Sequence, residues 1–127
     1  MLDYFIVVFV GGAVGSILRE FTMLMVPNLA DVFPMDILVA NLVATFLLAL
    51  VTALHRRQIL SDKANMLIGT GTMGGLSTFS SFAYGVVALM SASTASAIVA
   101  SVYVVTSLVL GYIAVVVGLK IGGLSSP

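Results

Sequence analysis

The side chains able to do chemistry concentrate in one run, Gly69-Thr70-Gly71-Thr72-Met73-Gly74-Gly75-Leu76-Ser77-Thr78-Phe79-Ser80-Ser81-Phe82. Four glycines within seven residues weaken a helix by about 1 kcal/mol each relative to alanine. The hydroxyls of Ser77, Thr78, Ser80 and Ser81 then compete with the helical backbone for hydrogen bonds. The run lies in the middle of an apolar segment long enough to cross a bilayer. Backbone groups released there must be satisfied by protein or face a water- or ion-filled cavity. The composition therefore predicts a broken membrane helix that turns oxygens and aromatic rings toward an ion. A flexible helix packed through its small residues is the plain alternative.

The other polar groups fit the same chemistry. Ser77, Thr78, Ser80, Ser81, Tyr103, Ser107 and Asn41 are neutral hydrogen-bond donors, and Arg19 adds one positive charge. Such donors suit a small anion, whose hydrogen bonds to water have to be replaced when it enters a membrane. Phe79 and Phe82 either pack or turn their positive ring edges inward. Asn41, one turn into an apolar segment, either points a donor into a pore or makes an interhelical hydrogen bond worth about 0.6–2 kcal/mol. Arg19 either snorkels to the interface or faces a vestibule that attracts anions. No carboxylate or histidine lies deep in a span, which argues against a proton relay. No nucleophile–base pair, carboxylate pair or metal cluster stands out, so no enzyme is expected. The absence of cysteine excludes disulfides and thiolate metal sites. His55, beside Arg56 and Arg57, reads as a solvated helix end.

The elements that must position these groups follow from hydropathy. Of the 127 residues, 61% are hydrophobic and 8% charged, against about 25% charged in a soluble domain. The expected fold class is an all-α integral membrane protein, one four-helix domain over 1–127. Its net charge of zero suggests no nucleic-acid partner. Spans are expected at about 4–26, 37–54, 66–90 and 95–119, the third one broken. In the first, Gly11-x-x-x-Gly15 has the spacing for close helix approach. In the second, Asn41, Ala44, Thr45, Leu48, Ala49 and Thr52 share a face. In the fourth, Ser96, Ala100, Tyr103, Ser107, Gly111, Ala114 and Gly118 form a small and polar face opposite Ile98, Val102, Val105, Val109 and Val116.

Pro27 to Asp36 reads as a polar turn, His55 to Asn65 as a charged loop, and Gly122 to Pro127 as a disordered tail. Four spans put the N-terminus, the charged loop and the C-terminus on one side. That side holds Arg56, Arg57, Lys63 and Lys120, and the other holds Arg19, which favours the first as cytoplasmic. Four helices leave little room for an aqueous path, so a pore forms more easily between two copies.

With these residues assembled, the sequence resembles the Fluc/CrcB family of fluoride channels over nearly its whole length. The likeness rests on the four spans, Gly-x-x-Gly-x-x-x-Arg from Gly12 to Arg19, the Asn41 helix, and Gly74-Gly75-Leu76-Ser77-Thr78-Phe79-Ser80-Ser81-Phe82. The resemblance implies a passive fluoride channel in the bacterial inner (plasma) membrane, built as an antiparallel, dual-topology homodimer with two pores. It implies a pore lined by Phe79, Phe82, Asn41, Ser80 and Ser81, with Tyr103 and Ser107 as a polar track and Arg19 in the vestibule. It also implies a structural sodium ion on the dimer axis, held by the backbone carbonyls of Gly74 and Ser77 from both copies. The alternatives are a small proton-coupled multidrug transporter, for which Glu20 is the only candidate carboxylate, and a non-transporting membrane assembly subunit.

Overall fold

A computed structural model describes residues 2–26, 33–92 and 94–124, the side chains of 92, 94 and 95 excepted. The order is α1 (Leu2–Met25), α2 (Met35–Arg56), α3 (Asp62–Asn65), a π-helical segment (Met66–Thr72), α4 (Met73–Leu76), α5 (Phe79–Ala92) and α6 (Thr94–Ile121). Among the described residues, four stretches are long and apolar enough to cross a membrane. They are α1, α2, the composite Asp62–Ser91 and Ser96–Ile121. The protein is thus a multi-pass, all-helical membrane protein whose third span is interrupted at Ser77–Thr78.

The interruption is not where the glycines are. Gly69, Gly71, Gly74 and Gly75 are all wound into helix, and the chain becomes extended only at Ser77 (φ −83°, ψ 137°). The reason is packing. Gly11 and Gly15 of α1 face the third span so closely that a Cβ at Gly11 would press on Leu67 O, and one at Gly15 on Thr72 O. The approach is mutual: a Cβ at Gly71 would lie 2.8 Å from Val8 O, and one at Gly75 would collide with Gly12 O. Two small-x-x-x-small stripes, Gly11/Gly15 and Gly71/Gly75, therefore bring two backbones together. What the glycines lose in helix propensity is returned as close van der Waals contact, since lipid tails supply no hydrophobic drive for helices to associate.

A second seam joins α2 to α6. A Cβ at Gly118 would stand 2.9 Å from Ala49 Cβ, and one at Gly122 would overlap Ala53 Cβ. Ala49 and Ala53 are buried there with Leu119. A larger cluster lies toward the other end, where Leu38 of α2, Leu89 of α5, and Ala100 and Tyr103 of α6 meet. Ala44 packs on Met73 and Leu76, tying α2 to the third span. In α6, Ile98, Val102, Val105 and Val109 are exposed opposite the buried Ala100, Tyr103 and Gly118, as the small/β-branched division predicts; Val116 is partly covered.

Three boundaries differ from the sequence expectation. Asp36 belongs not to a turn but to the first turn of α2, and is only 8% exposed. Pro27 and Asp31 lie outside the described residues. The charged loop is shorter than expected, because Ser61 Oγ accepts the Ala64 amide and starts a helix at Asp62. Of the tail, Gly122 to Leu124 continue the end of α6, and residues 125–127 lie outside the described residues. Leu124 N bonds Leu119 O and Gly123 N bonds Lys120 O, the paired closure that ends a helix on a left-handed residue, here Gly123 at φ 85°. α2 ends the same way: Ile59 N bonds Leu54 O and Gln58 N bonds His55 O, with Gln58 at φ 59°.

Arg57 joins these two helix ends by donating to Gly122 O at 3.0 Å. Lys63 stands 3.9 Å from Asp3 in an exposed ion pair. The start of α1, the 57–63 connection and the end of α6 therefore share one end of the bundle, the end that carries Arg56, Arg57, Lys63 and Lys120.

Candidate functional site: the break in the third span

The break is made by a side chain from another helix. Asn41, in the second turn of α2, accepts two hydrogen bonds at its Oδ1, from Ser77 Oγ at 3.1 Å and from the Thr78 amide at 3.0 Å. Thr45 Oγ1 donates to the Asn41 carbonyl at 2.7 Å within the same helix. Thr78 then caps α5: its Oγ1 accepts the Ser81 amide at 3.0 Å.

In an unbroken helix each amide bonds the carbonyl four residues earlier. The Thr78 amide would bond Gly74 O, and the Ser81 amide would bond Ser77 O. Both amides are engaged by side chains instead, so both carbonyls lose their usual helical donors. Gly74 is exposed, and a Cβ there would meet nothing within 4 Å. It is unlike its neighbour Gly75, which is wedged against α1.

Aromatic rings form a row beside the break. Phe79 and Phe82 have centroids 6.1 Å apart, Phe82 and Tyr103 5.3 Å, and Tyr103 and Phe33 5.3 Å in an edge-to-face pair. The row runs from open to closed: Phe79 is 80% exposed and Tyr103 0%. The Tyr103 hydroxyl is buried and makes no hydrogen bond among the described residues. Buried hydroxyls nearly always have a partner. Ser107 Oγ donates to the Tyr103 carbonyl at 2.7 Å.

Arg19, Met23, Ile37, Ala40, Asn41, Leu76, Thr78 and Ser81 line a small, partly open cavity of about 10 Å³. That is close to the smallest space that holds one water. Arg19, partly buried, thus lines this cavity beside Asn41 and Ser81. Glu20 is exposed on α1 and does not line this cavity.

The expected site residues fall into three neighbouring groups. Arg19, Asn41 and Ser81 meet at the cavity; Phe79, Phe82 and Tyr103 form the ring row; Gly74 and Ser77 stand at the break. Ser80 is exposed, and Ser107 is occupied with the α6 backbone; neither lines the cavity. Asn41 makes the interhelical bond of the plain reading, as an acceptor, and it also lines the cavity. The capping role of Thr78 was not expected. Its signal is a threonine three residues before Ser81 at the restart of a helix.

The profile of a family described as CrcB-like protein, Camphor Resistance (CrcB), matches residues 6–119. The chain is similar to a protein of Brucella melitensis named fluoride-specific ion channel FluC 2, at 59% identity over 96% of this chain and 45% of that protein. It is 50% identical, over 100% of its own length and 94% of the relative's, to fluoride-specific ion channel FluC 3 of Yersinia pseudotuberculosis. A Thermus thermophilus protein named fluoride-specific ion channel FluC is 32% identical over 96% of this chain and 97% of its own. The chain spans less than half the length of the Brucella relative and nearly all of the other two. All three names are those of channels, not of enzymes.

Proposed function

This chain belongs to the CrcB family, and we propose that it is a passive, fluoride-selective channel of the bacterial inner membrane, acting as an antiparallel homodimer with two pores. The observation that carries the reading is the convergence of Arg19, Asn41, Thr78 and Ser81 on a space with room for one water-sized particle. Fluoride is about the size of water and holds its hydration shell tightly. A site must therefore offer donors at short range, and space this small excludes larger halides. Asn41 has committed its oxygen to Ser77 and Thr78, so the group it has left to offer is Nδ2, a donor. Arg19 raises the local anion concentration. Phe79 and Phe82 offer ring edges, and the buried Tyr103 hydroxyl is a further donor.

The exposed side of the third span supports the dimer. Gly74 has room for a side chain it does not carry, as expected where a second backbone comes close. The carbonyls of Gly74 and Ser77, released from their helical donors, suit a hard cation, which takes oxygen ligands. A sodium ion between two copies would be held by these residues of each. Its role is structural, a charge that pins the two breaks together. Lipid covers the remaining apolar surface, including Phe5, Phe9 and Phe21 of α1.

Purified protein in liposomes tests the reading. A fluoride gradient should dissipate without a proton gradient, and much faster than a chloride gradient of equal size. Efflux that requires a proton gradient, or that carries chloride equally well, refutes it.

A further inference from the structure

We infer that Asn41 and Thr78 are positioning residues for the cation, and that Asn41, through its two ends, couples the cation site to the anion cavity. The inference rests on the cation reading above and concerns what makes the two carbonyls available.

The break has two amides and two side-chain acceptors. Asn41 Oδ1 holds the Thr78 amide at 3.0 Å, which releases Gly74 O. Thr78 Oγ1 holds the Ser81 amide at 3.0 Å, which releases Ser77 O. An amide in a membrane interior needs an acceptor. With either acceptor removed, its nearest substitute is the carbonyl four residues back, the one that would bind the cation. Helix would then close across Ser77–Thr78, and the carbonyls would align with the helix axis instead of turning outward. Each side chain therefore sets one carbonyl per copy, without touching the cation.

Asn41 has a second task. Ser77 Oγ also donates to its Oδ1 at 3.1 Å, so the oxygen end of the amide is bound to the break. The residue also lines the cavity with Arg19 and Ser81. The oxygen end thus serves the cation site and the nitrogen end serves the anion. A substitution that keeps the first and removes the second separates them. Asn41→Asp is that substitution: a carboxylate still accepts from Ser77 and Thr78, but it offers no amide donors and repels an anion.

The test is the melting temperature of the full-length protein in detergent, titrated with sodium against N-methylglucamine in fluoride-free buffer, beside fluoride flux from liposomes. Thr78→Val, which keeps shape and removes the acceptor, should weaken the sodium response at least about tenfold, with Thr78→Ser restoring it. Asn41→Asp should hold the sodium response within about threefold of wild type while losing more than about tenfold in flux. Asn41→Leu should lose both. A Thr78→Val protein with the wild-type sodium response overturns the inference. So does an Asn41→Asp protein that loses sodium as fully as Asn41→Leu, and this comparison decides the matter even if Thr78→Val does not fold. Absence of any sodium-specific stabilisation in the wild-type protein overturns the cation reading itself.

Discussion

Gly74 and Gly75 are adjacent, both helical, and should respond to alanine in opposite directions. At Gly75 a Cβ would collide with Gly12 O and lie 3.0 Å from Ser16 N. Both are backbone atoms, so no rotamer change relieves the contact and α1 has to move away from the third span. Overpacking costs about 1–3 kcal/mol, and a clash with backbone belongs at the upper end. Alanine returns about 1 kcal/mol of helix propensity, which leaves a net loss of about 2 kcal/mol. At Gly74 a Cβ meets nothing within the chain, so the propensity gain stands alone at about 1 kcal/mol. The neighbours should therefore differ by about 3 kcal/mol, more than a hundredfold in the unfolding equilibrium. Equilibrium unfolding in mixed micelles, at dilutions that keep the protein monomeric, measures this directly. At higher concentration the same Gly74→Ala protein should show a reduced dimer fraction, because the added methyl lies where the partner approaches. A Gly75→Ala protein as stable as wild type, or a Gly74→Ala monomer that loses as much as Gly75→Ala, refutes the packing account of the third span.

Phe79→Ile and Phe82→Ile should both cut fluoride flux. Phe82→Ile should lower the melting temperature more than Phe79→Ile, because Phe82 packs against both Phe79 and Tyr103 while the exposed Phe79 has Phe82 alone as a described ring partner; each such pair is worth about 0.5–1.5 kcal/mol. Normal flux in both variants would reduce the rings to packing. Gln58→Gly should raise stability by about 1 kcal/mol in thermal unfolding, since Gln58 carries the left-handed conformation that a side chain disfavours. Arg57→Ala removes the donor to Gly122 O and should cost about 1 kcal/mol, seen as faster amide exchange across residues 119–124.

The four spans were legible because a bilayer demands long apolar stretches, and these are hard to miss in a chain with 8% charged residues. The break was legible in kind and within the run from Gly69 to Phe82, but not to the residue. Glycine run and hydroxyl run both read as helix breakers, yet only the second interrupts the helix. A glycine's low propensity is a local property, whereas its use against the backbone of α1 appears only when two distant segments meet. Likewise nothing near residue 78 tells that Asn41, 37 positions away, accepts its amide. The Gly118-x-x-x-Gly122 seam was hidden because Gly122 sits among small and polar residues and reads as tail. Arg19 and Asn41 were recognisable as costly groups in apolar segments. Whether each snorkelled, paired or faced a cavity depended on neighbours that only the fold supplies.

Because Asp3 and Gly122 are drawn to the same end of the bundle by Lys63 and Arg57, that end can be marked from either terminus. The chain has no cysteine, so a thiol placed at exposed Lys63 would be unique, and so would one at Met25 at the far end. An impermeant maleimide added to intact cells then counts how many molecules face each way. Equal labelling of the two positions is the signature of a protein inserted in both senses. Labelling of position 25 alone would mean that the four basic residues at one end fix a single sense of insertion.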